Sequence, residues 1–299
     1  MYITFVNVNY LTKRQEEIKM VKKYLCIVML LCGVCVQMQE IAAQSVKEWA
    51  VAINLSGRQR MLSQKMAKEF LLAKIGVDAG KNHKLQNMTM QIFDRTLNQL
   101  ISGDADLFVP KPPNQEIFNQ LNKVKGLWAG YKTALNSGDV EKVAKLNLPV
   151  LKNMNKAVGM YEKAATKAGV KSSGPIINVA GRQRMLTQKM SKEICLIKLN
   201  IDKEKNMDNL KATLNLFDKS HNGLINGNKD MGLIATTNKR TLAQMKTVTR
   251  LWNAFKKLAL KVIATKKVND SILNEVYKRN PILLKQMNRA VKLYEVTAK

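Results

Sequence analysis

The stretch Ile53–Met66, INLSGRQRMLSQKM, occurs a second time in the chain as Ile177–Met190, INVAGRQRMLTQKM. Eleven of the fourteen positions are identical, and the two copies lie 124 residues apart. The same offset relates Leu127-Trp128 to Leu251-Trp252, far downstream of the copied stretch. A register that is kept over such a distance is typical of a duplicated domain. We call the repeated stretch the GRQRM box.

Length and composition favour two helical domains. The chain has 299 residues, 46% of them hydrophobic, and its 16 methionines suit packed helices. The 15 glycines and 6 prolines are too few for a chain rich in tight β-turns. The net charge of +28 is spread along the chain. It indicates either a solvated, lysine-coated surface or a surface that gathers small oxyanions, nucleic acid or anionic lipid.

The N-terminal region is interpreted as residues 1–19 upstream of the true translation start, followed by a secretory signal peptide, Met20–Ala43. Lys22-Lys23 precede the apolar run Tyr24–Val36, and Ala42-Ala43 offer small residues for cleavage. The run is short for a membrane span. We therefore expect a periplasmic or secreted protein, with the signal segment either cleaved or retained as an anchor.

Apolar residues recur at helical spacing in four runs of each copy. Four helices with short connections form an antiparallel bundle, so the predicted fold is all-α: two tandem antiparallel four-helix bundles after a signal peptide. The predicted helices are Ser45–Ile75, Lys84–Ile101, Gln115–Leu135 and Val140–Ala168, then Ile176–Asn200, Lys205–Asn226, Lys239–Ala264 and Ser271–Ala298. The predicted domains are 1–43 (start and signal peptide), 44–168 (module one), 169–175 (linker) and 176–299 (module two).

The fourth helix of each copy contains a proline, Pro149 or Pro281, which should kink or restart it. The offset between the copies changes to 133 in this region, so the second copy carries about nine additional residues around Lys261–Asn269. Because an antiparallel four-helix bundle has both termini at one end, a short linker allows the two bundles to lie side by side and parallel. The two box helices would then meet as in a symmetric dimer fused into one chain.

The polar face of the box helix predicts a binding site. On a helix, Gly57, Arg60 and Gln64 share one face, and Leu62 and Met66 lie on another. A glycine inside a helix costs about 1 kcal/mol relative to alanine, so another backbone or a ligand is expected to approach closely there. Arginine donates two parallel hydrogen bonds to a planar oxyanion. We expect the arginines of the two copies to hold one anion between them; the alternative is that the basic residues of the box are solvated surface charges.

The box and the following Lys68-Glu69 resemble the N-terminal sensor domain of type IV pili methyl-accepting chemotaxis transducers, the PilJ type. That domain is related to the periplasmic sensor of nitrate/nitrite sensor kinases. The resemblance is strongest over 53–70 and 177–194 and covers nearly all of the predicted mature chain. It implies an extracytoplasmic four-helix bundle in which ligand binds between the first helices of two subunits, through an arginine of the box.

At the position of that arginine stand Arg60 and Arg184, and a second basic position, arginine in the nitrate sensors, holds lysine in both copies. Lysine keeps the charge but lacks the fork, so the resemblance does not identify nitrate as the ligand. The predicted ligand-binding residues are Arg60, Arg184, Gly57, Gly181, Gln64, Gln188, Lys65 and Lys189. The chain stops at Lys299 without a coiled-coil, kinase or methyl-accepting segment, so we expect it to report to a membrane-bound signalling partner.

Catalytic and metal-binding signatures are absent from the sequence. His83 and His221 are not repeat equivalents, and after signal cleavage only Cys195 remains, because Cys26, Cys32 and Cys35 precede the cleavage site. We expect no enzyme activity, no cofactor or metal, and no specific nucleic-acid partner. Two alternatives stay open: a structural protein whose box helices are only packing seams, and a basic surface that binds anionic polymer or lipid.

Overall fold

The computed structural model describes residues 46–170 and 173–297, with side chains from 46 to 170 and from 175 to 296. The predicted signal peptide and its three cysteines lie outside these residues. Glu48–Lys299 form one compact unit. No helix within the described ranges is long and apolar enough to cross a membrane.

Eight α-helices build the described part of the chain, and the all-α prediction is confirmed. Each helix begins and ends within five residues of its predicted limits; the largest difference is at the start of the second helix, predicted at Lys84 and observed at Ala79. The helices are α1 (46–75), α2 (Ala79–Ser102), α3 (Gln115–Ser137), α4 (Val140–Lys167), α5 (Ser173–Lys198), α6 (Lys203–Asn226), α7 (Lys239–Thr265) and α8 (Asp270–Thr297).

Side-chain hydrogen bonds join consecutive helices in the same way in both copies. Gln59 of α1 donates to the carbonyl of Phe93 of α2 (2.8 Å), and Trp128 of α3 donates through Nε1 to Asp94 of α2 (2.6 Å). Gln183 donates to the carbonyl of Phe217 (3.2 Å) and Trp252 to Asp218 (2.6 Å) at the equivalent positions. A second contact in each pair, between Lys65 and Thr89 and between Gln86 and Leu135, shows that residue numbers run in opposite directions, so neighbouring helices are antiparallel. The duplicated sequence therefore folds into two similar antiparallel bundles.

The prolines do not restart the fourth helices. α4 runs as one helix over Pro149 and α8 as one helix over Pro281. The nine additional residues of the second copy are shared among three places. α7 has 27 residues against 23 in α3, the α7–α8 connection is two residues longer than the α3–α4 connection, and α8 begins three residues earlier.

The two box helices, α1 and α5, lie side by side and parallel. Arg60 of α1 contacts Asn178 of α5, and Lys68 of α1 contacts Gln188 of α5. Residue numbers increase together across these contacts, as the fused-dimer prediction requires. The interface between the bundles is therefore built from the repeated sequence itself.

Candidate functional site

The arginines of the two GRQRM boxes are buried where α1 and α5 meet. Arg60 is 0% and Arg184 4% exposed, so the alternative of solvated surface charges does not hold for either residue. Arg60 is among the largest fully buried side chains of the described residues. Burying a guanidinium is costly unless its charge and its donors are compensated. Such a pair in the centre of the interface is therefore the natural candidate for a functional site.

The glycines of the boxes leave the space that the two guanidinium groups occupy. A Cβ atom on Gly57 would lie 3.3 Å from Nη2 of Arg60 and 4.0 Å from Nη2 of Arg184. A Cβ atom on Gly181 would lie 3.3 Å from Nη2 of Arg184 and 3.7 Å from Nη2 of Arg60. The two Nη2 atoms are therefore at most about 7 Å apart. The close approach expected at the glycines comes from the arginine one turn further along the same helix and from its partner across the interface.

Each guanidinium is held by a residue of the other bundle. Arg60 donates from Nη1 to Oδ1 of Asn155 (2.7 Å) and from Nη2 to the carbonyl of Asn178 (3.2 Å). Arg184 donates from Nη2 to Oδ1 of Asn54 (2.8 Å). The Nε–H of each arginine is buried and has no acceptor among the described residues. Each fork thus has a fixed orientation and an unused donor.

Positive charge dominates around the pair. Burial, followed by repulsion from Arg182 and Arg184, lowers the pKa of Arg60 to about 9, and Glu162 opposes the shift. Burial also lowers the pKa of Arg184 to about 10, with Glu295 opposing and Arg58 assisting. The pKa of Glu295 is itself raised by burial, against the attraction of Arg184.

The arrangement can attract and bind an anion. Four arginines share the region with two carboxylates, so its net charge is positive even before the rest of the surface is counted. Two unit charges about 7 Å apart repel by roughly 2 kcal/mol at an effective dielectric constant of about 20. An anion that presents two oxygens would accept charge-assisted hydrogen bonds from both forks and replace this repulsion by attraction.

Comparison with known proteins agrees with this architecture. The profile of the family described as PilJ, type IV pili methyl-accepting chemotaxis transducer N-term, matches residues 41–150 and 166–275, which together exceed half of the chain. The chain belongs to the PilJ family. Each match begins before a box helix and ends within the fourth helix of that copy. The chain therefore carries two PilJ sensor domains in tandem.

A similar protein from Pseudomonas aeruginosa, McpN, is matched both by its sequence and by the solved structure of one of its domains. Over 84 residues the chain is 38% identical to the methyl-accepting chemotaxis protein McpN of strain PAO1. The aligned stretch covers 28% of this chain and 15% of McpN. The chain thus spans only a small part of that relative's length. The solved ligand-binding domain of the P. aeruginosa nitrate receptor McpN is 30% identical over 38% of this chain and 95% of that domain, with a TM-score of 0.35.

A second polar layer joins the two PilJ domains beside the arginines. Lys68 donates to Oε1 of Gln188 (3.0 Å) and to Oδ1 of Asn280 (3.0 Å), both in the second domain. Lys192, its repeat equivalent, donates to Oδ1 of Asn147 in the first domain (2.9 Å). Both lysines are almost fully buried, and burial lowers the pKa of each to about 8. Each domain therefore inserts a lysine from its box helix into its partner.

The structure does not bring every predicted site residue to the arginines. Lys65 forms an ion pair with Glu69 and donates to Thr89 of α2, inside its own PilJ domain. Lys189 does the same with Glu193 and Thr213. The amides of the predicted pair are buried one helical turn beyond the arginines: Gln188 accepts from Lys68, and Oε1 of Gln64 has no partner among the described residues.

Several residues around the arginines escaped prediction. Asn54 and Asn178 stand in the box itself, three residues before the glycine, and their identity in both copies was an available signal. Asn155 and Glu162 come from α4, where the offset of 133 instead of 124 obscures the repeat. Their equivalents in α8 are Asn288 and Glu295.

Proposed function

We propose that the chain is an exported sensor-type protein that binds one small oxyanion between α1 and α5. Arg60 and Arg184 are its principal ligands, and Gly57 and Gly181 leave room for their guanidinium groups. The observation that carries this proposal is the pairing of two buried guanidinium groups across the domain interface, each with an Nε–H that no described residue accepts. The ligand would bridge the two PilJ domains, so binding would change how firmly they hold together.

Arg60 and Arg184 suit a planar anion in this position. A fork donates two parallel bonds, whereas the ammonium groups of Lys65 and Lys189 are directed into their own domains. We therefore leave the two lysines out of the proposed ligand set. Nitrate, which is planar and carries three equivalent oxygens, is the first anion to test, followed by nitrite, sulfate and phosphate.

Isothermal titration calorimetry with these anions tests the proposal. Hydrogen bonds to charged groups contribute about 1.5–3 kcal/mol, so Arg60→Ala or Arg184→Ala should weaken binding by roughly ten- to a hundredfold. The double variant should not bind measurably. Arg60→Lys, which keeps the charge and loses the fork, should show most of the single-variant loss. Arg95→Gln combined with Arg250→Gln removes one exposed arginine from each domain and should leave the affinity within about twofold.

Two results would contradict the assignment. Undiminished binding in the double variant would show that the arginines are not part of the site. Titrations that show no binding of any of the four anions would rule out a small anion as the ligand. If the arginines are only a packing seam, the double variant loses stability while no anion stabilises the wild type. If the basic surface binds anionic polymer or lipid instead, binding falls steeply with salt and is spread over many lysines.

The remaining features of the proposal follow from the duplication and from the predicted signal peptide. We assign 44–168 and 176–299 as two sensor modules joined by 169–175, acting as a single-chain pseudo-dimer outside the cytoplasm. Its role is binding rather than chemistry, with a membrane-bound signalling protein as the receiver of the signal. Recovery of the chain in periplasmic or culture fractions, with an N-terminus near Gln44, is the expected outcome; full retention in the cytoplasm would contradict it.

A further inference from the structure

A groove of about 700 Å³ lies between the two PilJ domains, on the α4 side of the arginines. Leu148 and Leu151 of α4 line it together with Met185 of α5 and Leu216 of α6. Small-molecule sites have volumes of this order, with mostly apolar walls and a few polar groups that orient the ligand. The groove is far larger than a small oxyanion requires.

The charged groups that line the groove are cationic. Lys152 and Arg182 lie on its walls, and none of its lining residues is acidic. Arg182 is partly buried and forms no salt bridge within the described residues; burial lowers its pKa, and Glu162 opposes that shift. The groove therefore combines aliphatic walls with a half-buried guanidinium, which complements an amphiphilic anion.

The groove is larger than the pocket at the corresponding place in the second copy. The corresponding surface pocket has about 410 Å³ and is lined by α8 alone, where Leu284, Lys285 and Asn288 are the counterparts of Leu151, Lys152 and Asn155. Lys292 lines that pocket, whereas its counterpart in α4 is Gly159, next to which a Cβ atom would meet nothing within 4 Å. The larger groove is therefore specific to the side of the interface that α4 lines and does not follow from the repeat alone.

We propose that the groove binds a short aliphatic carboxylate of about four to eight carbons, with its carboxylate paired to Arg182 and its chain along Leu151 and Leu216. This site is separate from the proposed oxyanion site and does not depend on it. Asn155 connects the two, because its exposed side chain lines the groove while its Oδ1 accepts from Arg60. Occupation of the groove should therefore change the affinity of the arginine pair for an anion.

Calorimetric titration of the purified chain with acetate, butyrate, hexanoate and octanoate tests the groove. Each buried methylene contributes about 0.8 kcal/mol, so affinity should rise about tenfold from butyrate to hexanoate. Hexanamide and hexylamine, which have the same chain without the negative charge, should bind at least tenfold more weakly than hexanoate. An affinity that does not change with chain length would overturn the proposal.

Matched variants separate the groove from general attraction to a basic protein. Arg182→Gln should weaken hexanoate binding at least tenfold, whereas Arg58→Gln, its repeat equivalent in α1, should change it less than twofold. Leu216→Trp, which fills the groove and keeps every charge, should remove the dependence on chain length. Equal losses in Arg182→Gln and Arg58→Gln would contradict the site. Nitrate titrations of the wild type and of Leu216→Trp, which keeps every charge, report on the oxyanion site, so either proposal can fail while the other stands.

Discussion

The buried lysines Lys68 and Lys192 should make the stability of the chain increase with pH. Burial lowers the pKa of each from 10.5 to about 8 in the folded state. Between these two values the unfolded chain binds more protons than the folded chain, so raising the pH stabilises the fold. With those pKa values, each lysine adds between about 1 and 2 kcal/mol to the free energy of unfolding between pH 7 and pH 9. The pair should therefore contribute about 3 kcal/mol over this range.

The change that tests this expectation is Lys68→Met with Lys192→Met, which keeps an unbranched side chain only one atom shorter and removes the titrating group. Urea denaturation at pH 7, 8 and 9 gives the free energy of unfolding at each pH. The wild type should gain stability with pH and the double variant should lose most of that gain, while each single variant keeps about half. Absolute stability will also change, because Asn147 and Asn280 lose a buried donor, but the slope with pH is the diagnostic quantity.

A general effect of removing positive charge has to be excluded, since the chain carries a net charge of +28. Lys123→Met with Lys125→Met removes two exposed lysines of α3 and should leave the slope unchanged. If wild type, buried double variant and exposed double variant all show the same slope, the lysines are not desolvated in the folded state. The inter-domain layer described for Lys68 and Lys192 would then be wrong.

Three further predictions concern single positions. Burial lowers the pKa of His221 to about 4, so the wild type should lose stability as the pH falls from 7 to 4. His221→Leu installs the residue found at the equivalent position, Leu97, and removes this loss. In denaturation experiments the free energy of unfolding of the variant should rise by about 2–3 kcal/mol relative to the wild type between pH 7 and pH 4. Gly57→Ala should weaken oxyanion binding in calorimetry, whereas Gly159→Ala, whose Cβ meets nothing within 4 Å, should leave binding unchanged and raise stability by up to about 1 kcal/mol. Tyr131→Phe removes a hydroxyl that is hydrogen-bonded to a buried carbonyl of α1 and should cost about 1 kcal/mol by urea denaturation.

Most of the fold could be predicted because the duplication makes each helical pattern of apolar residues occur twice in the sequence. A helical period that appears once is weak, but a period repeated at a fixed offset, with Trp128 and Trp252 in register, fixes the number and order of helices. The limits of the helices were close because caps are local: Asn114 accepts from the backbone of Ile117 and Asn238 from that of Thr241, as N-cap residues do.

The side chains around the arginines could be predicted only in part. Lys65 and Lys68 are both basic and three residues apart, and sequence alone does not say which of them faces the other bundle. That choice depends on how α1 is rotated about its axis, which is set by its packing against α2, α4, α5 and α8. Glu69 and Thr89 take Lys65, and Asn280 takes Lys68. Glu69 lies one turn from Lys65 on α1 and is a local signal, whereas Thr89 and Asn280 come from other helices, so no local pattern contains them.

Fusion of two sensor domains into one chain has a consequence for the pocket between them. In a symmetric dimer every contact occurs twice, and no substitution can change one half alone. In this chain Arg60 reaches the carbonyl of Asn178, whereas Arg184 reaches the side chain of Asn54, and Asn178 instead donates its amide to Glu162 (2.6 Å). The two halves of the pocket are therefore already chemically different. A ligand with unlike ends, or one ligand at the arginines and another in the neighbouring groove, can be selected by such a pocket, and a symmetric pair of subunits has no means of making that distinction.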